Sequence, residues 1–174
     1  MAIAREAIEC ALKRTQFQHP IPTAEGLAQP SGAFVTIRRE GELRGCIGYI
    51  ESEKPVADVV AEVAAKAATE DLRFLPMTLA ELEHATFEIS ILSPLRRVSS
   101  PEEIIVGVHG LVVALGNRRG LLLPQVATEH HLGREAFLEA TLRKAGIPPA
   151  LWVAPDIEVY VFEAEVIQEA DVLQ

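Results

Sequence analysis

The sequence is short of basic charge and of aromatic rings. Its 174 residues carry 16 Lys and Arg against 25 Asp and Glu, a net charge of −9, with one Trp, two Tyr and six Phe. Surfaces that track phosphate backbones need clustered Lys and Arg, and single-strand binders need aromatic platforms. No nucleic-acid partner is expected. Cysteine is scarce too: Cys10 and Cys46 are too few for a disulfide scaffold and lack the C-x-x-C or paired Cys/His spacing of a metal site. Both are expected as thiols. His130 and His131 are adjacent, so on a helix they point roughly 100° apart and cannot grip one ion together. No metal and no cofactor are expected. The longest uncharged stretch, Ile104 to Asn117, is broken by Gly107, His109 and Gly110 and falls short of the ~18 apolar residues of a membrane helix. Arg5, Glu6 and Glu9 stand where a secretory signal needs an apolar run, so a cytoplasmic protein with no membrane contact is expected.

What is present is material for a core: 49% of residues are hydrophobic and 24% charged, a globular composition. A chain of this length makes a single domain, residues 1–174, and buries about 70% of the surface its unfolded form exposes. Ile3, Ala4, Ala7, Ile8, Ala11 and Leu12 recur with helical period, so residues 2–16 read as an amphipathic helix with Cys10 on its apolar stripe. A loop holding Pro20, Pro22, Gly26, Pro30 and Gly32 follows, with His19 at its start. Residues 33–38 and 43–50 alternate on either side of the turn Arg39-Glu40-Gly41-Glu42 and read as a hairpin.

Pro55 opens a helix carrying Val56, Val59, Val60, Val63, Ala64 and Ala67 on one face, and Thr78 with Glu81 has the form of a capping box starting a short helix to His84. Over 85–92 the alternation returns, with Phe87, Ile89 and Ile91 on the core face and Glu88 and Ser90 on the wet one. Ser100 to Glu103 caps a single turn; strands are expected at 104–108 and 111–115, then a turn over 116–120. Pro124 opens a helix, another runs from Arg134 to Ala145 and stops at Gly146, and a last strand covers 157–167. Hairpins with irregularly spaced helices, without regular β-α-β alternation, predict an α+β fold with mainly antiparallel sheet.

The most unusual segment is Leu43-Arg44-Gly45-Cys46-Ile47-Gly48-Tyr49. Strand geometry sends Arg44, Cys46 and Gly48 to one face. A guanidinium one pleat from a thiol favours the thiolate, and glycines inside a strand mark a bulge or a close approach. Two readings stand. Either the strand is reactive or ligand-binding, or Gly45 and Gly48 admit a packed helix, Cys46 is core and Arg44 is an ion-pair partner. A protease-like nucleophile is disfavoured, because amides inside a strand are spent on the ladder and cannot form an oxyanion hole.

Leu43-Arg44-Gly45-Cys46-Ile47-Gly48 resembles the hallmark hexapeptide of the AMMECR domain family, whose prokaryotic members are called protein A of the AmmeMemoRadiSam system. Asp71-Leu72-Arg73-Phe74-Leu75-Pro76 is similar to the family's D-x-R-F-x-P stretch, and Val106 to Gly110 to its G-x-x-G turn. Leu122 to Ala127 is similar to its L-L-P-Q-V-A stretch, and Leu142 to Gly146 to a further block. The resemblance implies a larger and a smaller lobe, each with a mainly antiparallel sheet flanked by helices, and the hexapeptide strand at a surface between them. It raises Cys46 and His109 as catalytic candidates, and Arg44, Gly45, Gly48, Asp71, Arg73 and Gln125 as ligand-binding candidates, for one inter-lobe site.

Each candidate has a structural alternative. Asp71 and Arg73 can pair with each other or cap a helix end, His109 can serve its glycine-flanked turn, and Gln125 can cap the helix that Pro124 opens. The family's company implies a Memo-like protein and a radical-SAM protein as partners and no established reaction. Two functions follow. One is binding of a small, anionic molecule, or thiol-assisted chemistry, with Cys46 as thiolate, Arg44 lowering its pKa or holding the anion, and His109 carrying the proton. The other is a non-catalytic accessory protein that docks a partner.

Overall fold

The computed structural model describes residues 1–18 and 25–169; His19, Pro20 and Pro22 lie outside them. The protein is α+β, with antiparallel sheet flanked by helices, and its chain divides into two compact units, residues 1–92 with those from Glu165 onward, and Ser93–Ala164. Among the described residues no helix is long and apolar enough to cross a membrane.

In the first unit, helix α1 (Ala2–Lys13) is followed by strands β1 (Ala33–Arg39) and β2 (Glu42–Tyr49). Their loop, Glu40-Gly41, has both φ angles positive (53° and 83°) and is closed by the pair Arg39 and Glu42. That is the loop whose twist suits a right-handed hairpin. Helix α2 (Val56–Thr69) crosses the sheet, short helix α3 (Leu79–Glu83) carries the expected capping box of Thr78 and Glu81, and β3 (Ala85–Leu92) lies beside β1. The sheet is completed by β8 (Ala164–Gln168), giving the order β2-β1-β3-β8. Val35, Ile37, Phe87 and Ile89 meet Val56, Val59, Val60 and Val63 of α2, with Ala4 and Ile8 of α1 packed alongside. Full burial of one such valine is worth roughly 1.5–3 kcal/mol, so α2 anchors this core.

The second unit contains β4 (Arg96–Val98), β5 (Gly110–Leu115), β6 (Arg118–Leu122), α4 (Pro124–Glu129), α5 (Arg134–Lys144) and β7 (Glu158–Phe162), with sheet order β4-β7-β5-β6. Phe137, Leu142, Ile104, Leu111 and Ile147 are fully buried at its centre. Helix α5 ends where expected, with Gly146 in the left-handed conformation (φ 68°).

The structure corrects four expectations. Residues 104–108 form no strand: Gly107 has φ 83° and the N–H of His109 bonds back to the carbonyl of Ile105 at 2.9 Å, so the apolar run folds into a tight loop. Arg118 to Gly120 are strand, which leaves Gly116-Asn117 as the turn. The strand expected over 157–167 is two strands, β7 and β8, in different sheets, parted at Glu163. Ser90 is not wet; it is only 2% exposed. The three-residue β4 had no periodicity long enough to reveal it.

Candidate functional site

The hexapeptide strand β2 is the edge of its sheet. The β1 partners of β2 pass from Ile37 opposite Gly45 to Arg38 opposite Leu43, so Arg44 is the extra residue of a bulge. The expected simple alternation of Arg44 with Cys46 is therefore broken at Arg44. A Cβ on Gly45 would stand 2.3 Å from the carbonyl oxygen of Ala67, so this glycine is what lets the last turn of α2 lie against the strand. As α2 ends at Thr69, the chain emerges beside β2 and Asp71 reaches it at once.

The contact is specific. Asp71 Oδ2 accepts the main-chain N–H of Cys46 at 2.8 Å, while Arg73 Nη2 donates to the Cys46 carbonyl at 3.4 Å. Arg73 also grips Asp71 with two nitrogens, Nε to Oδ1 at 2.9 Å and Nη2 to Oδ2 at 2.7 Å. An ion pair thus takes the donor and acceptor that a further strand would otherwise take at this edge. The Arg73 guanidinium and the Cys46 N–H hold the Asp71 carboxyl well below its ordinary range, although its side chain is only 7% exposed.

Arg44 is held in the same way. Its Nε donates to Glu81 Oε1 at 2.9 Å and its Nη2 to the carbonyl of Leu75 at 2.9 Å. Glu81 also receives the Thr78 N–H at 2.8 Å as the capping-box acid. Arg44, and after it the Thr78 cap, bring the Glu81 carboxyl down from 4.5 to about 2. The ring of Phe74 lies near both guanidinium groups, 5.7 Å from Arg44 and 5.6 Å from Arg73, within cation–π range. The segment is closed at its far end by the Met77 N–H on the carbonyl of Ala68 at 2.8 Å. Its two leucines are turned outward: Leu72 is fully exposed and Leu75 is 84% exposed.

The Cys46 thiol is half-buried and free of any disulfide, and its sulfur lies 3.3 Å from the Thr36 hydroxyl that donates to it. Thr36 and Glu88 share its rung of the sheet. Gly48 stands opposite Phe34, whose ring would meet a Cβ there at 2.2 Å.

The remaining candidates belong to the second unit. His109 is 6% exposed and its Nδ1 accepts the Ile105 N–H at 3.1 Å, tying the loop that replaced the expected strand and leaving Nε2 for other partners. Gln125 sits in the first turn of α4, its carbonyl bonded by the Thr128 hydroxyl at 2.9 Å.

The structure therefore brings Arg44, Gly45, Cys46, Asp71 and Arg73 together, with Thr36, Phe74 and Glu81 as members that sequence reasoning had not assigned to the site. Glu81 was visible as a capping acid, and its spare oxygen was the signal for a second partner. Cys10, by contrast, is not sealed in the core but half-buried.

Comparison with known proteins points one way. A family model described as AMMECR1 matches residues 1–167. A protein of Methanothermobacter thermautotrophicus is 44% identical over 174 residues, covering 96% of this chain and 91% of its own length. The protein MK0488 of Methanopyrus kandleri is 41% identical over 178 residues, covering 97% of this chain and 86% of its own. The crystal structure of the uncharacterised protein PH0010 from Pyrococcus horikoshii is similar with a TM-score of 0.90 and 36% identity, over 97% of this chain and 88% of that one.

Proposed function

This chain belongs to the AMMECR1 family, and from that premise we propose that it is a cytoplasmic, non-catalytic accessory protein that uses the 71–76 segment as a rigid docking surface. One observation carries this reading: the charged side chains and the main-chain groups around Cys46 are spent on holding that segment. Both guanidinium groups are ion-paired, and the main-chain N–H and C=O of Cys46 are both taken. What the arrangement leaves outward is Leu72 and Leu75. Leucines fully in water on a segment pinned from several sides fit an apolar pocket on another protein, because little ordering entropy is lost on binding. The two units are read as the two lobes that the family resemblance implies. A Memo-like protein and a radical-SAM protein are the partners proposed.

A second reading is favoured by Cys46, a half-buried residue whose sulfur receives the Thr36 hydroxyl. In that reading Cys46 binds or attacks a small, anionic ligand.

Association measured by size-exclusion chromatography with the Memo-like and radical-SAM proteins of the same organism, under reducing and anaerobic conditions, separates the two. Under the first reading Leu72→Asp with Leu75→Asp abolishes co-elution and Cys46→Ala leaves it intact. A complex indifferent to the leucines but lost with Cys46→Ala overturns the first reading for the second, and no complex with the unmodified protein removes the first altogether.

A further inference from the structure

We propose that the second unit carries a ligand site of its own, which takes a flat aromatic molecule bearing one anionic group, such as an aromatic carboxylate or sulfonate. The site is a pocket of about 570 Å³, within the range of small-molecule sites, roughly 300–1,000 Å³. Its floor is apolar, from the buried side chains of Val98, Ile104 and Leu138.

The mouth is built differently. Trp152, the one tryptophan of the chain, lines it and is 42% exposed. It stands in the 3-10 turn Pro149–Val153, set off from α5 by Gly146 and Pro148. In a protein with so few aromatics, a large ring left half in water beside a cavity with an apolar floor is a stacking surface. Among the described lining residues one side chain is charged, the cation Arg97, with the Glu158 and Glu103 carboxylates beside the wall. The ion pair of Arg97 with Glu158 spans 3.8 Å, too long for a hydrogen bond, and the Arg97 side chain is more than half exposed, so its donors can turn to an anion. Ser99 and Ser100 add hydroxyls to the same wall. That wall is fixed: Ser100 accepts the Glu102 N–H at 3.4 Å and the Ser99 N–H is held by Glu103 at 2.9 Å.

The sole tryptophan makes the test local. 8-Anilinonaphthalene-1-sulfonate serves as the anionic aromatic probe, and N-phenyl-1-naphthylamine as its uncharged counterpart. Saturable quenching of Trp152 emission by the sulfonate is expected. Arg97→Gln weakens it about tenfold, the worth of one hydrogen bond to a charged group, and leaves the neutral probe unaffected. Ala154→Phe, which fills the pocket, removes quenching by both. Leu72→Asp changes neither, which separates this site from the exposed leucines of the first unit. If Ala154→Phe does not fold, the indole N–H resonance of Trp152 in the unmodified protein replaces it and must shift saturably with the sulfonate. Probe binding that leaves Trp152 emission and resonance untouched, or quenching equal in Arg97→Gln, overturns the proposal.

Discussion

The carboxylate of Asp71 holds the main-chain N–H of Cys46, twenty-five residues earlier in the sequence, at 2.8 Å. The bond joins the two most distinctive motifs of the chain, and it is made at the backbone of the cysteine rather than at its sulfur. The motif pair is thus a device of architecture first: a sheet edge and a loop that secure each other.

Asp71→Ala should destabilise the protein by about 2 kcal/mol, since it leaves a strand N–H without its acceptor and Arg73 without its partner. Asp71→Asn should recover part of the loss, its remaining carbonyl oxygen still accepting from Cys46. Urea unfolding of the three proteins checks this. Equal stability of Asp71→Ala and the unmodified protein would falsify the edge-clamp account.

Acid should dissolve the same network in a defined window. Glu81, brought down to about 2 by Arg44 and the Thr78 cap, stabilises the fold above its ordinary 4.5, and that contribution is lost as pH falls from 4.5 towards 2. Asp71 is shifted in the same direction. Glu62, which Lys54, Tyr49 and Lys66 bring down to about 2, adds to the effect. Arg44→Met should therefore lie below the unmodified protein in urea midpoint at neutral pH, with the gap narrowing below pH 4.5 and closing near pH 2. A gap that stays constant across this range would mean that Arg44 acts through packing alone.

Gly45→Ala should cost at least about 2 kcal/mol, the scale of overpacking a site that cannot relax, because the added carbon meets the Ala67 carbonyl rather than a movable side chain. The thermal midpoint reads the loss directly. Backing α2 away from β2 should also loosen Asp71, so faster amide exchange at Cys46 is expected with it.

Leu72→Asp and Leu75→Asp should leave the urea midpoint unchanged, within about 0.5 kcal/mol, as exposed substitutions away from any network do. A large loss of stability would show that the leucines are covered in solution and would remove the support for docking.

Much of this fold could be read from the sequence because local signals agreed. Pro55 and the valine row of α2, the Thr78 and Glu81 box, the Glu40-Gly41 turn and the alternation of 85–92 each specify their own element. The failures came where local pattern and tertiary need part company. Ile104 to Val108 has the composition of a strand, but Gly107 and the His109 tie bend it into a loop. The 157–167 run has strand composition throughout, and the one local mark of the change of sheets at Glu163 is a shift of its apolar positions from Ile157, Val159 and Val161 to Phe162, Ala164 and Val166. The candidate site was half legible for the same reason. Arg44, Asp71 and Arg73 announce themselves as charges in odd places, whereas the bulge that turns Arg44 towards Glu81 depends on a register between strands that no single segment encodes.

The chain leaves the first unit at Ser93 and returns past Glu163, and these two residues are bonded to each other twice, Ser93 N–H to the Glu163 carbonyl and Glu163 N–H to the Ser93 hydroxyl, both at 2.9 Å. During synthesis β8 therefore leaves the ribosome only after the whole of Ser93–Ala164, and until then β3 is an unprotected edge. The inserted unit is continuous in sequence and can complete itself first; the unit that begins the chain is the last to be finished.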